Sequence, residues 1–204
     1  MATLTVFTPL YNRINTLKRT YESLKRQTSK DFVWLIIDDG STDNPYEIIK
    51  EWIKINNGFE IRYVYKENGG MHTAHNTAYE NIDTELNVCV DSDDYMPDNA
   101  VQLIIDCWNK NKNKGYAGII ALDFADSTKK VIGKELPTDK ESTTLMGYYN
   151  NGGFGDKKLI YRTDIIKQTP PYPVFNNEKY VALAYKYHLI DEKYELKILN
   201  ECVC

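Results

Sequence analysis

Through residue 115 the chain switches repeatedly between two hydrophobic periods. Thr3 to Thr8 is a short apolar run that predicts a buried strand, and it enters the turn Pro9-Leu10-Tyr11-Asn12-Arg13. Asn12 or Asn15 is available there as a helix cap. Ile14, Leu17, Tyr21 and Leu24 then recur at helical spacing to about Gln27. Phe32 to Ile37 is a second apolar run, stopped by Asp38-Asp39-Gly40-Ser41, and a helix is expected from about Asp43 with Ile48, Ile49, Trp52 and Ile53 inward. Phe59 to Tyr65 alternates as a third strand, and Lys66-Glu67-Asn68-Gly69-Gly70 punctuates it before a helix over 72–81. Leu86 to Val90 is a fourth strand, cut off by Asp91-Ser92-Asp93-Asp94. After Pro97, a good first-turn residue, Val101, Leu103, Ile104, Ile105 and Trp108 predict a fourth helix.

Four strand–helix repeats predict an α/β fold: a Rossmann-like, mixed but largely parallel central sheet flanked by helices. Parallel strands bring all their carboxyl ends to one edge, where ligands of such sheets bind. Thr8-Pro9, Asp38-Asp39, Asn68-Gly69-Gly70 and Asp91 to Asp94 are therefore expected side by side.

The second half is less regular. Tyr116 to Phe124 and Val131 to Leu136 read as a hairpin around Asp126 to Lys129, and Thr143 to Asn150 as a short helix. Asn150 to Asp156 is a Gly-rich loop of the kind that often serves as a lid. A strand is expected over 158–162, a short helix over 163–168, extended chain at Pro170-Pro171-Tyr172-Pro173, and a helix over 177–189 with Val181, Leu183, Ala184 and Tyr187 inside. With no internal repeat and no low-complexity linker, the expectation is one domain over 1–204, with a regular half about 1–115 and a less regular half about 116–204.

Composition narrows this little. The chain has 204 residues, 42% hydrophobic and 26% charged, with a formal charge of −4. That balance argues against a nucleic-acid binder. No run approaches the roughly 20 apolar residues that cross a bilayer, and the first residues lack the marks of a signal peptide. Cys89, Cys107, Cys202 and Cys204 have no zinc-ligand spacing and read as free thiols of a cytoplasmic protein. Cys202 and Cys204 alternate in a strand-like tail and are expected to share a face. The chain stops inside that tail, which suggests a C-terminally truncated piece of something longer.

The chemistry concentrates at the strand ends. Three carboxylates within Asp91-Ser92-Asp93-Asp94 repel one another and call for a compensating cation. Hard oxygen ligands suit Mg²⁺ or Mn²⁺ bridging to phosphates. An acidic turn capping the next helix is the plainer alternative. Asp38-Asp39 offers a carboxylate to a nucleobase N–H or to a helix start. Asn68-Gly69-Gly70 lets backbone N–H groups approach a phosphate. His72 and His75 lack a third ligand for zinc; His75 either faces a pyrophosphate or is an ordinary buried histidine. Tyr148, Tyr149 and Tyr161 offer stacking faces for a sugar or simply fill core.

Together these residues resemble family 2 of the inverting glycosyltransferases, which have the GT-A fold. Thr8-Pro9-Leu10-Tyr11-Asn12-Arg13 is similar to the family's opening strand and loop, and Ile37-Asp38-Asp39-Gly40-Ser41-Thr42-Asp43 to its "DDGSTD" signature. Asn68-Gly69-Gly70 with Ala74-His75-Asn76 resembles its "N-G-G…A-x-N" segment, and Asp91-Ser92-Asp93-Asp94 its "DxDD" metal motif. The resemblance is close over about residues 3–110, and it implies a nucleotide-binding half about 1–115 and an acceptor-side half about 116–204.

The resemblance implies transfer of a sugar from a nucleotide diphosphate donor, UDP first, to a glycan, lipid-linked or polyol acceptor in cell-surface polysaccharide synthesis. It implies Mn²⁺ or Mg²⁺ as cofactor and, for acceptors held at a membrane, association with its inner face. Asp39 would bind the uracil edge, with Pro9, Tyr11, Arg13, Asn68, Gly69 and His75 lining the nucleotide site. Asp91 would sit by the ribose and diphosphate, Asp93 would be the main metal ligand with Asp91 beside it, and Asp94 would serve the acceptor side. Inverting transfer needs a carboxylate base, and Asn177-Glu178-Lys179-Tyr180 resembles the family's "GEKF" setting, which nominates Glu178. His75 stands where many members carry a basic residue, which suggests a pH-sensitive pyrophosphate contact. A metal-dependent nucleotidyltransferase and a non-catalytic nucleotide-sugar-binding module are the alternatives; the absence of glycine from Pro9 to Arg13 counts against the first.

Overall fold

The structure is a computed structural model that describes residues 2–204. Strands β1 (Leu4–Leu10), β2 (Phe32–Asp39), β3 (Glu60–Lys66) and β4 (Leu86–Cys89) alternate with helices α1 (Ile14–Arg26), α2 (Pro45–Lys54), α3 (Met71–Asn81) and α4 (Ala100–Asn111). Then come β5 (Gly118–Leu122), β6 (Phe124–Ala125), β7 (Lys130–Val131), β8 (Ser142–Thr143), α5 (Leu145–Asn150), β9 (Lys157–Arg162), α6 (Thr163–Gln168), α7 (Ala184–Asp191) and β10 (Leu196–Cys202). One eight-stranded sheet runs in the order β3-β2-β1-β4-β9-β5-β10-β8, and β6-β7 pair apart from it. The chain leaves β1 toward β2 and β3, then returns to place β4 on the other side of β1. That reversal opens a crevice at the carboxyl ends of β1 and β4.

Every residue of β1 and β2 is buried, as a central parallel strand requires. Alternation divides them between two cores. Trp34 and Ile36 face α1, α2 and α4, whereas Leu35 and Ile37 face α3, α6 and α7. On the first face Tyr21 stacks on Trp52 at 4.2 Å and on Trp34 at 5.9 Å, and Trp34 Nε1 donates to Thr8 Oγ1 at 3.0 Å. Strand β9 is antiparallel to both β4 and β5, so β5 runs parallel to β4. Its carboxyl end therefore reaches the same edge of the sheet.

Several expectations need correction. Neither Asn12 nor Asn15 caps α1: the Ile14 N–H donates to Asp43 Oδ2 at 3.1 Å, across from the second strand's loop. Asn12 sits at φ 52° and accepts from Thr42 N at 2.7 Å, tying the two loops together. In α2, Ile49 and Trp52 are buried but Ile53 is exposed. The expected hairpin exists only as the two-residue strands β6 and β7, because 118–122 joins the main sheet instead. The Gly-rich loop is tied down: Tyr148 Oη donates to the carbonyls of Lys134 (2.7 Å) and Phe154 (3.0 Å), and Lys157 Nζ donates to that of Asp156 at 3.0 Å. The last helix starts at Ala184 rather than at residue 177, since Asn177 at φ 64° turns the chain into a bridge between Phe175 and Glu178. Cys202 and Cys204 do not share a surrounding: the pairing of β10 with β5 is irregular between Leu199 and Cys202, and the two thiols pack against opposite cores. All four cysteines are free. Among the described residues no helix is long and apolar enough to cross a membrane.

Candidate active site

A cleft of about 560 Å³ opens at the carboxyl ends of β1, β2 and β4, lined by Pro9, Tyr11, Arg13, Asp39, Asn68, Asp91 and Asp93, with Gly70, Met71, Ala74 and Lys179 completing its walls. Residues from five separate stretches of sequence thus meet in one place.

Asp39 organises its floor. The carboxylate is almost fully buried and accepts four hydrogen bonds. Oδ1 takes Lys66 Nζ at 2.5 Å and Gly69 N at 3.0 Å; Oδ2 takes Gly70 N at 2.9 Å and Asn68 Nδ2 at 3.2 Å. A carboxylate offers about four lone-pair sites, so in this arrangement none is left for a nucleobase. Asp39 holds the Asn68–Gly70 turn in place, and Gly70, at φ 93°, lies where a Cβ would come within 2.1 Å of the Lys179 carbonyl oxygen. Asp38 points elsewhere, accepting Ser41 N at 2.8 Å and Tyr63 Oη at 2.5 Å.

The acidic turn is braced by α1. Asp94 N donates to Asp91 O at 3.0 Å within the turn. Thr20 Oγ1 donates to Asp94 O at 2.7 Å, Arg19 Nη2 to Asp93 O at 3.1 Å, and Gln27 Nε2 to Pro97 O at 2.6 Å. Thr20, buried on the inner face of α1, and Gln27, buried at its C-terminal cap, are explained by the segment they hold. Asp93 and Arg13 form an ion pair across the mouth of the cleft, both side chains about half exposed. Such a pair contributes little in water, so it is readily exchanged for another cation. Asp91 and Asp93 supply two hard carboxylate ligands, and among the described residues no cluster of three or more His, Cys, Asp or Glu is placed to hold a metal. Two carboxylates with waters and substrate phosphates are what Mg²⁺ and related ions commonly take, so the residues present fit such an ion.

A second cavity of about 320 Å³ adjoins the first at Asp91, which lines both. Asp94, Asp123, Asp156, Lys158 and Tyr149 face it. Burial pushes the Asp94 carboxyl up, with Asp91 and Asp93 adding to the shift and Lys158 opposing it. His75 belongs to this second wall and not to the first cleft. It is fully buried, edge-on to Phe7 at 5.0 Å, with Nδ1 hydrogen-bonded to Tyr79 Oη at 3.1 Å. Burial, with His72 adding, pushes it down to about 3, so it stays neutral near pH 7 and offers no titrating pyrophosphate contact. Of the three tyrosines considered for stacking, Tyr149 reaches this cavity, Tyr148 anchors the Gly-rich loop, and Tyr161 is buried against Tyr187.

Glu178 is not brought to either cavity. It is exposed, and its Oε1 accepts its own segment's Tyr180 N at 3.0 Å. Its neighbour Lys179 enters the cleft instead, with Nζ on Asn68 Oδ1 at 2.7 Å. Lys179, Lys66, Lys158 and Asp123 were all missed from sequence. Asp123 carried the same signal as Asp39 and Asp91, an acid directly after an apolar run, but extending that run to Phe124 hid it.

Two outcomes follow from these contacts. Asp39→Ala strands Lys66 and two amides, and should cost about 3–5 kcal/mol; denaturant unfolding measures this, and amide exchange across 67–71 should accelerate. For His75 the folded form resists protonation while the unfolded form accepts a proton near pH 6.5. Stability is therefore lost as pH falls from about 6.5 toward 3, by at most about 1.4 kcal/mol per pH unit. His75→Gln should flatten that slope in urea titrations at pH 7, 6 and 5.

Comparison with known proteins places this geometry. Over 148 residues the chain is 30% identical to an uncharacterized glycosyltransferase of Rickettsia conorii, covering 70% of this chain and 24% of that protein. It is 35% identical over 101 residues to glycosyltransferase GlyA of Streptococcus pneumoniae (50% and 14%), and 34% identical over 109 residues to chondroitin synthase of Pasteurella multocida (53% and 11%). The chain thus spans a quarter or less of each of these relatives. Among solved structures, S. aureus TarS 1-349 in complex with UDP-GlcNAc superposes with a TM-score of 0.75 at 19% identity, over 98% of this chain and 57% of that one. The mannosyltransferase PcManGT of Pyrobaculum calidifontis, in complex with GDP-Man and Mn²⁺, does so with 0.62 at 14%, over 98% and 54%. These likenesses establish the GT-A fold. Residues 5–169 match the family model described as Glycosyl transferase family 2, and the chain belongs to that family.

Proposed function

We propose that this domain transfers a sugar from a nucleotide diphosphate donor, UDP-linked in the first instance, to a hydroxyl of a glycan, lipid-linked or polyol acceptor, with inversion at the anomeric carbon. The observation that carries the reading is the meeting of Asp91 and Asp93 with Pro9, Tyr11 and Arg13 at the crevice between β1 and β4. TarS, solved with UDP-GlcNAc, supports the choice of UDP, and PcManGT, solved with Mn²⁺, supports a divalent ion. In this reading Pro9, Tyr11, Asn68 and Gly69 bound the nucleoside, and Asp39 acts by fixing the turn that carries Asn68 and Gly69. Asp91 and Asp93 would hold Mn²⁺ or Mg²⁺, which offsets charge on the departing diphosphate. Arg13 and Lys179, freed from Asp93 and Asn68, are the nearby cations for the same phosphates. Asp94 faces the acceptor. Polysaccharide synthesis at the inner face of the membrane is the setting that this chemistry suits.

Thermal unfolding with UDP, GDP, CMP and dTDP, each with and without Mn²⁺, tests the reading on the wild type and on Asp93→Asn. A ligand at about 100 times its Kd stabilises the native state by roughly 2.7 kcal/mol. For a chain of this size that is a rise in Tm of roughly 5–10 °C. The expected result is a shift with UDP that needs Mn²⁺ and is lost in Asp93→Asn. No shift with any nucleotide would sink it.

A further inference from the structure

Glu178, turned to solvent, reaches neither cavity, and the acceptor proton asks for a carboxylate that does. The carboxyl end of β5 supplies one. Asp123 follows Leu122 directly, on the same edge of the sheet as Asp91, because β5 runs parallel to β4. It is only 8% exposed, yet among the described residues its Oδ1 is buried without a hydrogen-bond partner. The nearest cation is Lys158 Nζ, 3.8 Å from Oδ1 and itself largely buried. A buried carboxylate left without donors is costly to keep. This one lines the second cavity, which touches the nucleotide cleft at Asp91. An incoming hydroxyl would supply the missing donor.

We propose that the second cavity is the acceptor-hydroxyl subsite and that Asp123 is the residue that takes the hydroxyl proton. The inference rests on the transferase reading above. The acceptor oxygen forms its bond to the anomeric carbon from the face opposite the diphosphate. The bond between that carbon and the diphosphate oxygen breaks, its electron pair leaves with the diphosphate, and the hydroxyl proton ends on the Asp123 carboxylate. Burial pushes the Asp123 carboxyl up to about 6, close to the range where a base works best near neutrality. The charged and titratable groups around it are Lys158, Lys157, Asp94 and Asp156, with the thiols of Cys202 and Cys204. Four carboxylates and two ammonium groups line the cavity. That balance favours a neutral sugar or polyol hydroxyl over an acceptor bearing phosphate or carboxylate at this point.

The test compares two nucleophiles, because azide attacks without needing a base whereas water needs one. UDP release is measured from UDP-GlcNAc, UDP-glucose or UDP-galactose with Mn²⁺, in wild type, Asp123→Asn and Asp123→Glu. Asp123→Asn should lose about 100-fold or more of the water-driven rate. Its KM should stay within about threefold, and its azide-driven rate within about tenfold, of wild type. The UDP-dependent rise in Tm should survive, showing that the cleft is intact, and Asp123→Glu should recover part of the water-driven rate. Asp123→Asn that keeps the water-driven rate, or loses both rates together while still binding UDP, overturns the assignment. So does a wild type that binds UDP with Mn²⁺ but releases none to either nucleophile, which leaves donor binding standing. A wild type that binds no nucleotide removes the transferase reading itself.

Discussion

The carboxylate of Asp39 is the contact around which the cleft at the strand ends is assembled. It lies at the end of a fully buried strand, where an unpaired charge would be intolerable. Lys66 from the neighbouring strand supplies the counter-charge, and the amides of Gly69 and Gly70 supply the remaining donors. Satisfying one buried carboxylate therefore folds the turn that opens α3, and that turn forms one wall of the cleft. Gly70 is needed there for a physical reason, since its positive φ and the Lys179 carbonyl leave no room for a Cβ.

The opposite wall depends on a different compensation. Asp91, Asp93 and Asp94 follow β4 within one turn, and α1 restrains the backbone of Asp94 through Thr20 and that of Asp93 through Arg19. Their side chains are left less settled. Arg13 pairs with Asp93 from a solvent-exposed position, and burial pushes the Asp94 carboxyl up. In the proposed reading, a fixed backbone carrying incompletely compensated carboxylates would receive a cation together with the substrate. The sheet brings a third acidic strand end, Asp123, to the same edge, with the Lys158 ammonium 3.8 Å from it.

Much of this was legible before any coordinates. Continuous apolar runs ending in acids or glycines mark parallel strands whose functional residues lie at their carboxyl ends, and Asp39, Asn68, Asp91 and Asp93 all fell where that logic put them. What sequence reading missed depended on contacts remote in the chain. Asn12 looked like a local helix cap, but its partner is Thr42 and the cap of α1 comes from Asp43. Val181 and its neighbours have helical spacing, yet the turn at Asn177 delays the helix to Ala184 and rotates Glu178 outward. His75 occupies a motif position but sits under β1 and β4, where burial keeps it neutral. Asp123 went unseen because β5 was taken for one arm of a hairpin, and only the pairing with β9 reveals its direction.

The most direct test of the account is a crystal structure grown with UDP and Mn²⁺ and measured at the manganese absorption edge. The account predicts one anomalous peak at oxygen-ligand distance, about 2.2 Å, from Asp93 and shared with the diphosphate. Arg13 should have moved off Asp93, and the uracil should lie beside Pro9 and Tyr11. A nucleotide bound elsewhere on the molecule, or bound in this cleft with Arg13 still paired to Asp93 and no metal between them, would contradict it.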